Sequence, residues 1–178
     1  MEHDLGPNLP ASRGSCAMKS FVALLLLTVL FSAPACAQTG GLDEMAGRWT
    51  IVDPSGVRLG ESAIVVQTPG AMLFEERRVG SDPAQQLWFE NSERAGGWVQ
   101  LFLGPRGVRE FTPQSAPGAW PLVLGAHVGL QSGAEADFRM TLSRQSPDHY
   151  RRLLEISTDG QRSWSAVFDY TYRRAVPS

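Results

Sequence analysis

Ser163-Trp164-Ser165-Ala166-Val167-Phe168-Asp169-Tyr170-Thr171-Tyr172-Arg173, near the C-terminus, alternates apolar with polar side chains. Trp164, Ala166, Phe168, Tyr170 and Tyr172 fall on one face of an extended chain, and Ser165, Asp169, Thr171 and Arg173 on the other. A period of two is the pleat of a half-buried strand rather than the turn of a helix. Just upstream, Asp159-Gly160 separates this run from Tyr150–Ser157. Both turn positions there need residues that tolerate positive φ, so the two runs read as a hairpin. Before them, Phe138, Met140 and Leu142 share a face opposite Arg139, Thr141 and Ser143.

The same rhythm extends back along the chain, with Gly and Pro breaking it roughly every eight to twelve residues, as in antiparallel sandwiches and barrels. Predicted strands cover Gly47–Val52, Glu61–Gln67, Ala71–Val79, Gln85–Asn91, Gly97–Leu103 and Val108–Thr112. Leu122–Leu130, Ala136–Arg144, Tyr150–Ser157 and Ser163–Arg173 follow. A single helical turn is expected at Leu42–Ala46, and Pro113–Pro121 is the long connection, expected to be a mobile rim element. About nine or ten strands, each with one apolar and one mixed face, must hide the apolar sides, and curling does so while removing exposed edges. The expected fold is all-β, a single antiparallel up-and-down β-barrel over residues 38–178.

The N-terminal part reads as an export signal rather than as structure. Lys19 precedes the apolar run Phe21–Phe31, which is the length of a signal h-region and short for a bilayer span. Ala35 and Ala37 are the small residues that a signal peptidase reads, so a cleaved signal helix over 18–37 and a mature start at Gln38 are expected. Residues 1–17 carry Glu2 and Asp4 without apolar periodicity and read as an over-called start, with translation beginning at Met18. The expected compartment is therefore periplasmic or extracellular. Cys16 and Cys36, the only cysteines, both precede the cut, so the barrel is held by its core and not by disulfides. The alternative is a lipoprotein anchored at Cys36, although such signals place Leu three residues upstream, where Ala33 stands. Export and that anchor are the only expected links to a membrane.

From Gln38 onward the chain holds 14 Arg, no Lys and 16 Asp plus Glu. This near-neutral scatter makes no basic patch of the kind nucleic-acid partners require. The residue pattern sets no oligomeric state.

Gly47-Arg48-Trp49 opens the first strand and Tyr170-Thr171-Tyr172-Arg173-Arg174 closes the last. Together they resemble the calycin superfamily of lipocalin-like barrels. That resemblance implies a Gly-x-Trp packed under a late arginine across the barrel floor, here Gly47, Trp49 and either Arg173 or Arg174, with Arg173 taken as the closing residue. A guanidinium can lie on an indole face while bonding backbone carbonyls. Arg139-Met140-Thr141, then Leu153 to Gly160, then Ser163-Trp164 and Tyr172-Arg173 are similar to a bacterial family of secreted lipocalin-like domains of unknown function. Gln161 stands where that family often has a second Gly. The resemblance implies a fold and carries no reaction.

No His-Glu-x-x-His, Gly-x-Ser-x-Gly or phosphate-cradling loop is present. Two histidines, His127 and His149, follow Gln38, too few for a multi-histidine metal site, and no cofactor is expected. Some calycin relatives hold haem through one strand histidine, which would make His127 the ligand, but a lone histidine is more often a hydrogen-bonded wall residue. The charged residues Glu75, Arg77, Glu90, Arg139 and Glu155 all lie within predicted strands. They read either as polar anchors of a ligand cavity or as outward charges and an internal ion-pair lattice. Trp98 is a candidate for the cavity lining, and Trp120, in the proline-rich connection, for a lid. The expected function is binding of a small apolar or amphiphilic molecule. The alternatives are an enzyme pairing Glu90 or Glu155 with Arg139, or a packed barrel that binds a partner through Pro113–Pro121.

Overall fold

Leu42–Met45 form one 3-10 turn whose Leu42 and Met45 side chains are buried. In the computed structural model, which describes residues 41–104, 107–130 and 132–176, this turn is the only helical element among the described residues. The expected signal segment, both cysteines and Met18 lie outside the described residues. Ten strands follow: β1 Gly47–Val52, β2 Arg58–Thr68, β3 Met72–Val79, β4 Gln85–Ser92 and β5 Gly97–Gly104, then β6 Gly107–Pro113, β7 Leu122–Gly129, β8 Glu135–Ser146, β9 His149–Ser157 and β10 Ser165–Arg174. β3, β8 and β9 alternate buried and more exposed positions over most of their length, as the pleat requires of a sheet with one face in the core.

Every strand pairs antiparallel with its neighbours in the chain, and β1 pairs with β10 to close the cylinder. The closing register runs from Trp49↔Arg174 to Val52↔Thr171. This is a closed ten-stranded up-and-down barrel. Its topology sends successive turns to opposite ends. The β1–β2, β3–β4, β5–β6, β7–β8 and β9–β10 connections share one end, here called the mouth. The 3-10 turn and the β6–β7 connection share the other.

That second end, the floor, is sealed by aromatics. Trp49 is buried, donates from Nε1 to the Met45 carbonyl at 2.8 Å, and meets the Tyr150 ring edge-on at 5.1 Å. Trp120 packs on Tyr150 at 6.0 Å and Trp98 is buried in the same cluster. The proline-rich connection thus contributes a floor residue rather than a lid over the mouth. Arg174 lies across Trp49, its Cζ 4.3 Å from the ring centroid. Its guanidinium donates to the carbonyls of Ala46 (3.0 Å), Glu44 and Pro147 (both 3.2 Å), and to Asp148 Oδ1 (2.7 Å). The closing arginine is therefore Arg174; Arg173 is exposed and points the other way. The pleat explains the choice, since Arg174 shares a face with the buried Tyr172 and Arg173 does not. Gly47 is needed beneath it: its φ is +134° and a Cβ there would come 2.6 Å from Arg174 Nη1.

One face expectation is corrected by a bulge. In β10 the register shifts between Ala166 and Phe168, pairing Ala166 with Glu155 and Phe168 with Leu154. An extra residue reverses which side faces in. Phe168, Tyr170 and Tyr172 face the interior, whereas Trp164 and Ala166 lie on the outside. Replacing Arg174 with Ala removes the charged donor to the floor carbonyls, so urea unfolding is expected to show a loss of about 2 kcal/mol. Arg173→Ala is expected to stay within about 0.5 kcal/mol of the parent.

Candidate functional site

In β3 the pleat turns Leu73, Glu75 and Arg77 inward and Phe74, Glu76 and Arg78 outward. In β9 the same phase turns Tyr150, Arg152 and Leu154 inward. A ten-stranded barrel is narrow enough for these side chains to meet at its centre, though 77 residues separate Glu75 from Arg152. Glu75 is 0% exposed and Arg152 1%. Arg152 Nη1 donates to Glu75 Oε2 at 2.6 Å, and Ser62 Oγ (2.9 Å) and Tyr172 Oη (3.0 Å) donate to Oε1. Arg152 Nη2 donates to Gln100 Oε1, and Nε points at Met140 Sδ at 3.4 Å. Strands β2, β3, β5, β8, β9 and β10 are thereby joined through one buried polar cluster.

Burial pushes the Glu75 carboxyl up, but the charges of Arg152 and Arg77 and the hydrogen bonds outweigh it and hold Glu75 below its ordinary value of 4.5. Burial likewise opposes the charge on Arg152, and Glu75 and Tyr172 overcome it, so the guanidinium stays protonated. Burial first, then the Glu75 charge, raises the Tyr172 hydroxyl. Glu75 is thus an ionised carboxylate with both oxygens hydrogen-bonded and without the raised pKa of a general base. A depressed carboxyl contributes stability that is complete above its unfolded pKa, near 4.5, and fades as pH falls through the folded value. Stability measured by equilibrium unfolding should therefore fall as pH drops below 4.5. Glu75→Gln leaves two buried cations without a counter-charge and is expected to lose about 3–5 kcal/mol at neutral pH.

Above the cluster, toward the mouth, the interior is not filled. A cavity of about 210 Å³ is walled by Leu87, Phe102, Phe111, Met140, Leu154 and the Phe168–Tyr170 pair, whose rings stack at 4.3 Å. Arg77, Gln85, Gln100 and Arg109 supply its polar lining. Larger depressions, of about 530 and 520 Å³, lie elsewhere, one over the outer wall of β1–β3 and one where β6 and β7 part. The β6–β7 ladder holds only Thr112↔Gly125 and Pro113↔Leu124, so these strands diverge toward the mouth. Phe102 and Arg109 line both the interior cavity and the cleft between these strands, and Arg109 lies over the Phe138 ring at 4.4 Å.

Of the residues singled out from sequence, Glu75 and Arg77 meet in this interior. The others do not join them. Glu90 is exposed on β4. Arg139 and Glu155 are directly paired across β8 and β9 on the outer face, with a 2.9 Å ion pair and Trp164 stacked on the guanidinium at 4.2 Å. Trp98 and Trp120 belong to the floor. His127 faces outward, bonded to Asp137 Oδ1 at 2.9 Å with Glu135 at 3.6 Å, and the Asp137 bond raises its pKa. It is thus placed away from the cavity a haem would need. Among the described residues no group of His, Cys, Asp or Glu is arranged to hold a metal ion.

Arg152, Ser62 and Tyr172 were the residues that sequence reasoning missed as partners of Glu75, and Gln100 as a partner of Arg152. The signal for Arg152 was its phase with Tyr150 and Leu154, which Glu155 does not share. The chain matches no protein-family model and no curated protein.

Proposed function

We propose that this chain is an exported lipocalin-like binding module of the calycin type, which takes a small apolar or amphiphilic molecule into the mouth of its barrel. The observation that carries this reading is the cavity of about 210 Å³, with apolar walls and a floor of fixed polar groups. Ligand sites combine such a lining with a few convergent polar side chains. Its size suits a small ligand, since an engineered apolar cavity of about 150 Å³ holds benzene. The sealed floor also supports it, because a barrel closed at one end by Trp49, Tyr150 and Arg174 offers a pocket and not a channel.

The carboxylate–arginine chemistry proposed as an alternative finds less support. Glu90 and Glu155 lie on the outer surface, and Glu75 has its oxygens taken up by Arg152, Ser62 and Tyr172. A partner-binding role for Pro113–Pro121 is likewise weakened by Trp120 being committed to the floor.

A bulky residue in the wall tests the binding reading. Leu154→Trp should fill the cavity at a cost of about 1–3 kcal/mol while the barrel remains folded by circular dichroism. The parent chain should bind the uncharged two-ring probe 1-aminonaphthalene with enhanced fluorescence, and the variant should not. Equal binding by both, or none by either together with an empty protein in native mass spectrometry, would sink the proposal. Export is tested separately by the N-terminal residue of the protein recovered from the periplasm. Gln38 is expected, whereas an acylated Cys36 in the membrane fraction would establish the anchored alternative.

A further inference from the structure

We infer that the molecule held in the mouth carries one anionic group, a carboxylate, and docks it on the guanidinium of Arg77. This rests on the cavity reading above and adds the chemistry of the ligand's polar end. Among the described residues, the charged side chains buried in the barrel are Glu75, Arg77 and Arg152. Arg152 and Glu75 form a direct ion pair, which leaves these three buried groups with one positive charge in excess. Arg77, 4% exposed, is the member of the three that lines the cavity. A cation in a water-poor site with no direct counter-ion is costly, and an anion arriving beside it recovers much of that cost.

The hydrogen bonds of Arg77 show where that anion fits. Its Nε and Nη2 both point at a single neutral oxygen, Gln85 Oε1, at 3.1 and 2.5 Å. Its Nη1 reaches another neutral oxygen, Tyr172 Oη, at 3.4 Å. Two parallel donors on one amide oxygen are half of the fork geometry that a guanidinium makes with the two oxygens of a carboxylate. Gln85 is half-buried at the start of β4, beside the mouth. The Arg77 Cζ lies beside the stacked Phe168 and Tyr170 rings, 5.2 and 5.7 Å from their centroids. The present partner of the fork is neutral, the weaker of the two acceptors it can take. The volume admits a system of one or two fused rings or a short chain behind the head group and excludes a long acyl tail lying wholly inside.

Fluorescence titration of the purified chain with 2-naphthoate and with its uncharged amide, 2-naphthamide, separates the claims. The parent is expected to prefer naphthoate by about tenfold or more, the worth of a charge-assisted pair. Arg77→Gln keeps the Glu75–Arg152 pair intact and should bring naphthoate down to the affinity of the amide while leaving the amide within a few-fold. Gln85→Ala removes the competing acceptor and should strengthen naphthoate several-fold without changing the amide. Equal affinity of the two probes for the parent overturns the anionic assignment and leaves the cavity reading standing, as does a preference that survives Arg77→Gln. Should Arg77→Gln fail to fold, unchanged or weaker naphthoate binding by Gln85→Ala overturns it equally. Binding of neither probe, nor of 1-aminonaphthalene, removes the cavity reading and this inference together.

Discussion

A carboxylate and a guanidinium, Glu75 and Arg152, meet inside the barrel without access to water, and the arrangement around them follows from that burial. Removing two charges from solvent costs several kcal/mol each unless their remaining lone pairs and N–H groups find partners. Ser62, Tyr172 and Gln100 supply those partners from three further strands. A register slip of one residue in β3 or β9 would turn one of the two ions outward and strand the other. The cluster therefore selects one register, and it also divides the interior. Below it the barrel is packed with aromatics down to the floor; above it the space stays open.

The floor and the mouth are made by different chemistry. Arg174 is half a surface residue, yet its donors satisfy the carbonyls of Glu44, Ala46 and Pro147 where the 3-10 turn and the β8–β9 turn come together. Its flat face covers the indole of Trp49, so one side chain both satisfies backbone oxygens and lids an aromatic plug. At the mouth no comparable seal forms among the described residues, and the thin β6–β7 ladder leaves a cleft beside Phe102 and Arg109. The packed floor and the open cavity thus lie toward opposite ends.

The strands, their order and the single 3-10 turn were legible in the sequence because each rests on local signals: the pleat, the Gly and Pro breaks, and the Asp159-Gly160 turn. The Gly47–Trp49 closure was legible too. Its arginine was misplaced by one position, although the phase of Tyr172 points to Arg174. The site was less visible. Arg151 and Arg152 are adjacent and chemically identical, and only the pleat separates one that meets Asp169 on the outside from one that meets Glu75 within. Arg139 and Glu155 looked equally suited to the interior and instead face each other outside. Trp164 moved to the outer face because the bulge at Ala166–Phe168 adds a residue that no turn signal announces.

The amino-acid order alone determined that the chain is built from about nine or ten alternating strands and that enough apolar surface exists to close them on themselves. Local φ preferences and a two-residue rhythm act over a few positions, so they can be read from neighbours in the chain. Which charged side chains share the interior was decided only by the folded barrel. Glu75, Arg77, Arg152 and Tyr172 come together by closure of the sheet, and the balance of charge that results belongs to the cluster and to none of its residues singly. The buried guanidinium of Arg77 on the cavity wall, beside a Glu75–Arg152 pair that is already balanced, exists only once strands far apart in the chain have met.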